Sequence, residues 1–130
     1  MKKDSRETII IIEDEEDIRA FASRVLELEG YRVLQAGDGD EGLRLARGNK
    51  VALVLLDLRL PGRDGRVILS QMKSDPELSS IPVVVFTASA AAQQRNQALA
   101  VGAADYLIKP LSANSLKESI ARVLRHKRRH

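Results

Sequence analysis

The sequence predicts an α/β fold in which helices cover both faces of a doubly wound, five-stranded parallel sheet. Three observations predict it. Five short apolar segments have the length of single strands, and segments with helical periodicity lie between them. The central segment, Val51–Leu56, is apolar at every position, which is typical of a strand covered on both faces. Strands and helices that alternate in this order form a parallel sheet through right-handed crossovers.

The composition is that of one globular domain. The chain has 130 residues, of which 44% are hydrophobic and 30% are charged. No apolar run approaches the roughly 20 residues that a membrane-spanning helix needs, and the start, MKKDSRE, lacks the apolar segment of a secretory signal. Cysteine is absent, which excludes disulfides, thiolate catalysis and cysteine zinc sites. We therefore expect a cytoplasmic protein with no membrane partner.

The first strand, Thr8–Ile12, runs directly into five consecutive acidic residues. A helix follows and ends at Gly30, and its apolar face consists of Ile18, Phe21, Ala22, Val25 and Leu26. The later acids of the run, Glu15, Glu16 and Asp17, favour the positive end of the helix dipole, so we assign them no chemistry.

The next segment, residues 31–36, is more polar and alternating, as expected of an edge strand. Asp38 and Glu41 then form a capping pair for a short helix that ends near Gly48. The third strand, residues 51–57, is the apolar central segment and ends at a carboxylate. That acid is followed by a loop rich in proline and glycine, which places it at the carboxyl edge of the sheet.

After the third strand, a helix begins at about Asp64 and ends before Pro76, because the residue that precedes a proline disfavours helical geometry. A fourth strand, residues 82–87, is again apolar on both faces. An alanine-rich helix and a short fifth strand, residues 104–108, come next, and Ser112 caps the last helix.

The chain ends in a basic segment, RHKRRH, at positions 125–130. We divide the chain into one domain, residues 1–125, and a basic C-terminal tail, residues 126–130. The formal net charge of +3 is due to this end of the chain, and the remainder is close to neutral. A nucleic-acid-binding protein more often spreads its basic residues over one face of the fold, which argues against a nucleic-acid partner.

Polar side chains follow the ends of four predicted strands: Glu13 and Asp14, then Asp57, Thr87 and Lys109. Because parallel strands point the same way, these side chains collect at the carboxyl edge of the sheet, where open α/β sheets bind ligands. Carboxylates that lie close together raise one another's pKa unless a cation joins them, and oxygen ligands favour Mg²⁺. Such a set suits phosphoryl transfer, which needs positioning and neutralisation of charge on the phosphoryl oxygens.

Each of these residues also has an ordinary structural interpretation. Asp57 could cap the next helix, but Asp64 stands at the better capping position, which leaves Asp57 without a structural task. Glu13 and Asp14 could simply favour the positive end of the helix dipole. Thr87 could be an ordinary residue at a strand end, and Lys109 an ordinary solvated lysine. The functional interpretation therefore depends on the convergence of the whole set.

In this order and at these strand ends, the residues resemble the receiver domain of two-component response regulators over essentially the whole chain. The resemblance rests on these motifs: Glu13-Asp14, Asp57-Leu-Arg-Leu-Pro61, Gly65, Phe86-Thr87-Ala88, Gly102-Ala-Ala-Asp105-Tyr106 and Lys109-Pro110. Each motif is a weak match alone, and together they are highly specific. The resemblance implies a flavodoxin-like fold with the strand order 2-1-3-4-5.

By this resemblance, Asp57 is the phosphoacceptor, which receives a phosphoryl group from a phosphohistidine of a sensor histidine kinase or a histidine phosphotransfer protein. Glu13, Asp14 and Asp57 would hold Mg²⁺, with the backbone carbonyl of Arg59 as a further ligand. The family most often has aspartate at the position of Glu13. The extra methylene should shift the metal geometry without removing a ligand.

The resemblance also assigns the residues around the phosphoryl group. Thr87 and the amide of Ala88 would contact the phosphoryl oxygens, and Lys109 would pair with them. Tyr106 would be the switch aromatic, which moves inward as Thr87 shifts. The peptide bond between Lys109 and Pro110 is expected to be cis. Arg59 and Ser89 fall at positions that tune dephosphorylation in the family.

The protein implied by this resemblance promotes only its own aspartyl phosphorylation and dephosphorylation, so it is not an enzyme in the ordinary sense. It would signal by docking on a downstream protein target, as a monomer or a weak homodimer. No output domain follows the last helix, so we expect either a stand-alone receiver or a receiver segment of a longer chain such as a hybrid sensor kinase.

Three alternatives stay open at this level. An aspartate-based phosphatase would use Asp57 on small substrates, but such enzymes usually carry a second acid two residues later, where this chain has Arg59. A nucleotide-binding module would need a Walker or G-x-G-x-x-G pattern, and neither occurs. A third alternative keeps the receiver fold and makes the basic tail a nucleic-acid contact.

Overall fold

The structure is a computed structural model that describes residues 5–60 and 64–129. Within these residues the elements are β1 (Thr8–Ile12), α1 (Glu16–Leu28), β2 (Arg32–Ala36), α2 (Gly39–Gly48), β3 (Leu53–Asp57), α3 (Gly65–Ser74), β4 (Val83–Thr87), α4 (Ala92–Val101), β5 (Asp105–Ile108) and α5 (Ala113–Arg129). All pairs of neighbouring strands are parallel, in the order β2-β1-β3-β4-β5. The predicted fold class and strand order are confirmed. Pro61 of the predicted motif and His130 of the predicted tail lie outside the described residues.

The sheet is covered on both faces because its central strands are apolar at consecutive positions. All five residues of β1, β3 and β4 are buried. Alternate side chains point to opposite faces. Ile10 and Ile12 therefore pack in the cluster that includes residues of α2, α3 and α4, whereas Ile9 and Ile11 pack with α1 and α5. Two apolar layers thus hold the strands in place, and the ends of those strands are correspondingly well positioned.

The predicted helix caps are present. An Asp38 side-chain oxygen accepts a hydrogen bond from the amide of Glu41 at 2.8 Å. At α3, the Asp64 carboxylate accepts from the amide of Arg66 at 2.9 Å. The hydroxyl of Ser112 accepts from the amide three residues later at 3.0 Å. Since Asp64 caps α3, the carboxylate of Asp57 is not needed as a helix cap and is available at the edge of the sheet.

One detail of helix α1 differs from the sequence prediction. Phe21 was predicted on the buried face of α1, yet 43% of it is exposed. The predicted stripe was too wide: Ala22, Val25 and Leu26 are buried, and Phe21 lies outside the part of the helix that faces the sheet. The last helix, α5, includes residues 126–129 of the segment defined from the sequence as the basic tail.

The end of α5 is tied to the domain. Arg128 forms an ion pair with Glu7, and the Lys127 ammonium lies 3.5 Å from the carbonyl oxygen of Ala52. Basic side chains at a helix C-terminus also favour the negative end of the helix dipole. Across residues 5–60 and 64–129, none of the helices combines the length and the apolar character that a bilayer crossing requires.

Gly65, the first residue of α3, lies against the end of β3. A Cβ atom built there would lie 2.3 Å from the carbonyl oxygen of Asp57 and 2.6 Å from the Cα of Leu58. Both neighbours are backbone atoms, so they cannot move aside as a flexible side chain does. The glycine is needed here for close approach.

We predict that Gly65→Ala lowers the free energy of unfolding by about 1–3 kcal/mol, the usual cost of overpacking. Urea unfolding measures this change. Gly48→Ala is the matched control, because a Cβ at Gly48 meets nothing within 4 Å. Alanine also favours a helix more than glycine does. The control should therefore be as stable as the wild type or more so, and equal stability of Gly65→Ala and the wild type would contradict the prediction.

Candidate functional site

Three carboxylates converge at the carboxyl edge of the sheet, as the sequence predicts. Glu13 directly follows β1 and is completely buried, whereas Asp57 ends β3 and is 1% exposed. Asp14 is exposed at the rim. One carboxylate oxygen of each residue lies within 4.8 Å of the other two. The pairing of β1 with β3 brings the first and third strand ends together, although they are far apart in the sequence.

Lys109 lies between the two buried acids. Its ammonium donates hydrogen bonds to Glu13 Oε1 at 2.8 Å and to Asp57 Oδ2 at 3.0 Å. It also lies 5.1 Å from the centre of the Phe86 ring, which is within the range of a cation–π contact. Only 17% of the Lys109 side chain is exposed, so the interpretation of this residue as an ordinary solvated lysine is wrong.

Backbone amides hold the remaining oxygens of the buried acids. Asp57 Oδ1 accepts a hydrogen bond from the amide of Arg59 at 2.9 Å, and Glu13 Oε2 accepts from the amide of Glu15 at 3.2 Å. In each buried carboxylate, therefore, one oxygen accepts a hydrogen bond from Lys109 and the other accepts one from a main-chain N–H. This arrangement fixes both groups in rotation as well as in position.

Burial and the neighbouring carboxylate both affect the protonation of Glu13. Its pKa is raised to about 7, most strongly by burial and next by the neighbouring Asp57, while the hydrogen bond from Lys109 opposes the rise. Burial by itself lowers the pKa of Lys109. Its hydrogen bonds to Glu13 and Asp57 outweigh that effect, so the pKa of Lys109 is raised. The site thus favours a bound proton or another cation near its carboxylates.

The predicted switch residues lie beside this group and are joined through Ser89. Thr87 ends β4, next to β3 in the sheet, and is 2% exposed. The hydroxyl of Tyr106 donates to the carbonyl oxygen of Ser89 at 2.8 Å, and the amide of Ser89 donates to Thr87 Oγ1 at 3.4 Å. Tyr106 is already turned inward, since only 8% of it is exposed. Ala88 is exposed directly after Thr87.

Sequence reasoning did not find Arg19. Its Nη1 donates to the carbonyl oxygen of Glu13 at 2.8 Å, and its Nε donates to Gln35 Oε1 at 3.1 Å. In the sequence, this arginine and Arg24 are equivalent basic residues of one amphipathic helix. No pattern distinguishes them, because the contact depends on the path of the loop before α1.

The residues fit a magnesium ion. Glu13, Asp14 and Asp57 offer oxygen atoms alone, which is the donor type that Mg²⁺ prefers, and the exposed Asp14 leaves the group open to solvent on one side. The backbone carbonyl of Arg59 as a further ligand stays a prediction. The bond between Lys109 and Pro110 is cis, as the resemblance implied.

Comparison with known proteins agrees with this geometry. Residues 9–121 match the family model described as the response regulator receiver domain. The chain belongs to this family. Receiver domains of two-component response regulators bind Mg²⁺ at an acidic pocket, and the group formed by Glu13, Asp14 and Asp57 could bind such a metal.

Individual relatives differ in length. A probable transcriptional regulator, ycf27, from Porphyridium aerugineum is 35% identical over 120 residues, which is 92% of this chain and 49% of the relative. This receiver chain therefore spans about half the length of that protein. Protein PilH from Pseudomonas aeruginosa is 34% identical over 116 residues, which is 89% of this chain and 96% of the relative.

A solved structure has the same fold. The CheY-like response regulator receiver domain protein from Methanospirillum hungatei superimposes with a TM-score of 0.87 at 28% identity. The superposition covers 96% of this chain and 98% of the other. The family resemblance read from the sequence motifs is confirmed.

We predict that charge at the site controls stability in metal-free buffer. Asp57→Asn keeps the shape and removes one of the crowded charges, so it should raise the free energy of unfolding by about 1 kcal/mol, the order of one pKa unit of repulsion. Lys109→Met removes the only ammonium bonded to Glu13 and Asp57 within the described residues. Since both acids would then be unopposed, it should cost about 3 kcal/mol.

Melting curves with and without magnesium at fixed ionic strength measure both changes. Magnesium should raise the melting temperature of the wild type in a concentration-dependent way, and that of Asp57→Asn by less. If Asp57→Asn melts below the wild type without metal, the acids are not crowded and this account of the site is wrong.

We further predict that Glu13 makes stability fall as the pH rises in metal-free buffer. Between pH 4.5, its ordinary pKa, and about pH 7, the folded protein keeps a proton that the unfolded chain releases, so unfolding becomes easier. The effect is on the order of 1–3 kcal/mol, since one pKa unit corresponds to about 1.4 kcal/mol. Urea unfolding across this range should show the slope in the wild type and not in Glu13→Gln. Parallel pH profiles for the two proteins would disprove it.

Proposed function

We propose that this receiver domain accepts a phosphoryl group on Asp57 from a phosphohistidine of a sensor histidine kinase or a histidine phosphotransfer protein. The observation that carries the proposal is the position of the Asp57 carboxylate. It ends a buried strand, is oriented by Lys109 and by the amide of Arg59, and lies in the acidic group with Glu13 and Asp14. The phosphorylated form then docks on a downstream protein target.

The transfer is a displacement at phosphorus. A carboxylate oxygen of Asp57 attacks, and a P–O bond forms while the P–N bond of the phosphohistidine breaks. The electron pair of the broken bond stays on the imidazole nitrogen. No general base is needed, because Asp57 attacks as a carboxylate. Magnesium, when bound, neutralises charge on the phosphoryl oxygens, which is the main demand of phosphoryl transfer.

The proposal gives Lys109 two successive partners. In this structure its ammonium forms ion pairs with both Glu13 and Asp57. After the transfer, Asp57 carries three phosphoryl oxygens, and the ammonium, which lies 3.0 Å from Asp57 Oδ2 in this structure, would pair with them. The hydroxyl of Thr87 and the amide of Ala88 are proposed to donate hydrogen bonds to the phosphoryl oxygens on the side of β4.

The same step supplies a switch. In this proposal the hydroxyl of Thr87, which accepts from the amide of Ser89, turns to donate a hydrogen bond to a phosphoryl oxygen. The hydrogen bond from the Ser89 amide to Thr87 Oγ1 is long, 3.4 Å, so little energy is lost when it breaks. The carbonyl oxygen of Ser89 also accepts a hydrogen bond from the hydroxyl of Tyr106. Movement of Thr87 is therefore passed through Ser89 to the aromatic side chain. Tyr106 is inward in this structure, which is the position that the family resemblance gives for the end of the motion.

The proposed protein is a signalling module that promotes only its own phosphorylation and dephosphorylation. The probable transcriptional regulator ycf27 to which it is similar is about twice its length, so the role in that name is not carried over to this chain. In this chain, the basic end of α5 is engaged in contacts with Glu7 and Ala52. These contacts engage part of the basic charge that a nucleic-acid contact would use.

We predict that a small phosphodonor such as acetyl phosphate, with Mg²⁺, adds one acid-stable, base-labile phosphoryl group, and that Asp57→Asn abolishes it. Intact-mass measurement detects the product. Asp64→Asn is the control, because Asp64 caps α3 outside the acidic group. Glu13→Gln and Asp14→Asn should keep the nucleophile and need more magnesium. Normal labelling of Asp57→Asn would place the phosphoryl group elsewhere and overturn the proposal.

A further inference from the structure

The side chain of Arg19 joins separate parts of the chain beside the acidic group. Its Nη1 donates to the carbonyl oxygen of Glu13, in the loop between β1 and α1, and its Nε donates to Gln35 Oε1 on β2. The Gln35 amide nitrogen in turn donates to Ser23 Oγ on α1 at 3.1 Å. Arg19 therefore links the loop that carries two of the carboxylates to the neighbouring strand through its side chain.

The carbonyl that Arg19 holds is critical for the geometry of the site. This carbonyl belongs to the planar peptide that joins Glu13 to Asp14. Its orientation therefore affects the direction in which the Asp14 side chain points from the backbone. The amide of Glu13 is held separately, by the carbonyl oxygen of Ala36 at 3.0 Å. With the side chain of Glu13 bonded to Lys109 and to a backbone amide, Arg19 completes the set of contacts that hold this residue.

A guanidinium is suited to this task. Its donors lie in one plane at fixed angles, so Nε and Nη1 reach two acceptors on different segments at once. A lysine ammonium would have the charge but would hold its acceptors with a flexible stem. The bond to Glu13 is partly buried, so water competes with it only in part.

We propose that Arg19 is a positioning residue for the metal and phosphoryl site: by holding the Glu13 carbonyl, it sets the spacing of the Glu13 and Asp14 carboxylates that would bind Mg²⁺. The inference rests on the proposed function of that site. Charge alone predicts the opposite effect. A cation near a cation site weakens metal binding, so loss of Arg19 would strengthen binding if only its charge mattered. Positioning and charge therefore predict changes of opposite sign.

The test is a calorimetric titration of the unphosphorylated protein with Mg²⁺ alone. Arg19→Gln should bind Mg²⁺ about 10-fold more weakly than the wild type, the lower end of the usual loss when a residue that orients metal ligands is removed. Arg19→Lys, which keeps the charge, should fall in between. Arg24→Gln is the matched control, since Arg24 is an exposed residue of the same helix and loses the same charge. It should bind at least as tightly as the wild type.

A second arm separates positioning from general damage to the fold. Gln35→Leu removes the second acceptor of Arg19 without a change of charge, so it should also weaken Mg²⁺ binding, and it should add little to Arg19→Gln in the double variant. With acetyl phosphate, Arg19→Gln should be phosphorylated slowly at low magnesium and approach the wild-type rate at saturating magnesium. If Arg19→Gln does not fold, Arg19→Lys and Gln35→Leu are compared with Arg24→Gln instead.

The outcomes are distinct. Equal or tighter Mg²⁺ binding by Arg19→Gln, or by the two replacement variants where these are needed, overturns the inference and leaves the proposed function intact. The same holds if the phosphorylation defect persists at saturating magnesium, because the damage is then not to the metal site. A wild-type protein that binds no Mg²⁺ and is not labelled on Asp57 overturns both proposals.

Discussion

The site depends on one ammonium between two buried carboxylates. Lys109 bonds to both Glu13 and Asp57, and each acid gives its second oxygen to a backbone amide. Burial of charges carries a large desolvation cost that such contacts repay only in part. The raised pKa of Glu13 is the sign of that imbalance. An arrangement of this kind is poor support for stability and well suited to receive a metal ion and a phosphoryl group.

The fold delivers these groups by holding the ends of its strands. β1 and β3 are buried on both faces, so the residues that end them have little freedom to move. Sites built on such rigid elements keep their geometry better than sites on loops. The approach of Gly65 to the end of β3 adds a backbone contact directly behind Asp57. The stability that the acidic group lacks is thus supplied by the apolar layers beneath it.

Much of the fold could be read from the sequence, because the signals are local. Apolar runs located the strands, and capping residues such as Asp38 and Asp64 located helix starts within a residue or two. The exposure of Phe21 could not be read in the same way. Helical periodicity indicates which residues share a face, but the width of the buried stripe depends on how the helix is rotated against the sheet. The contacts of α5 could not be read from the sequence either, since Arg128 forms an ion pair with distant Glu7.

At the site, the sequence by itself determined which groups meet: in a parallel sheet every strand ends at the same edge, so Glu13, Asp57 and Lys109 had to lie near one another. It did not determine how they meet. That Lys109 bonds to both acids, that Ser89 joins Thr87 to Tyr106, and that an arginine of α1 holds the Glu13 carbonyl were decided only by the tertiary structure. The reason is physical. Strand direction follows from the order of the elements, whereas a hydrogen bond depends on atomic positions set by loops and packing from distant parts of the chain.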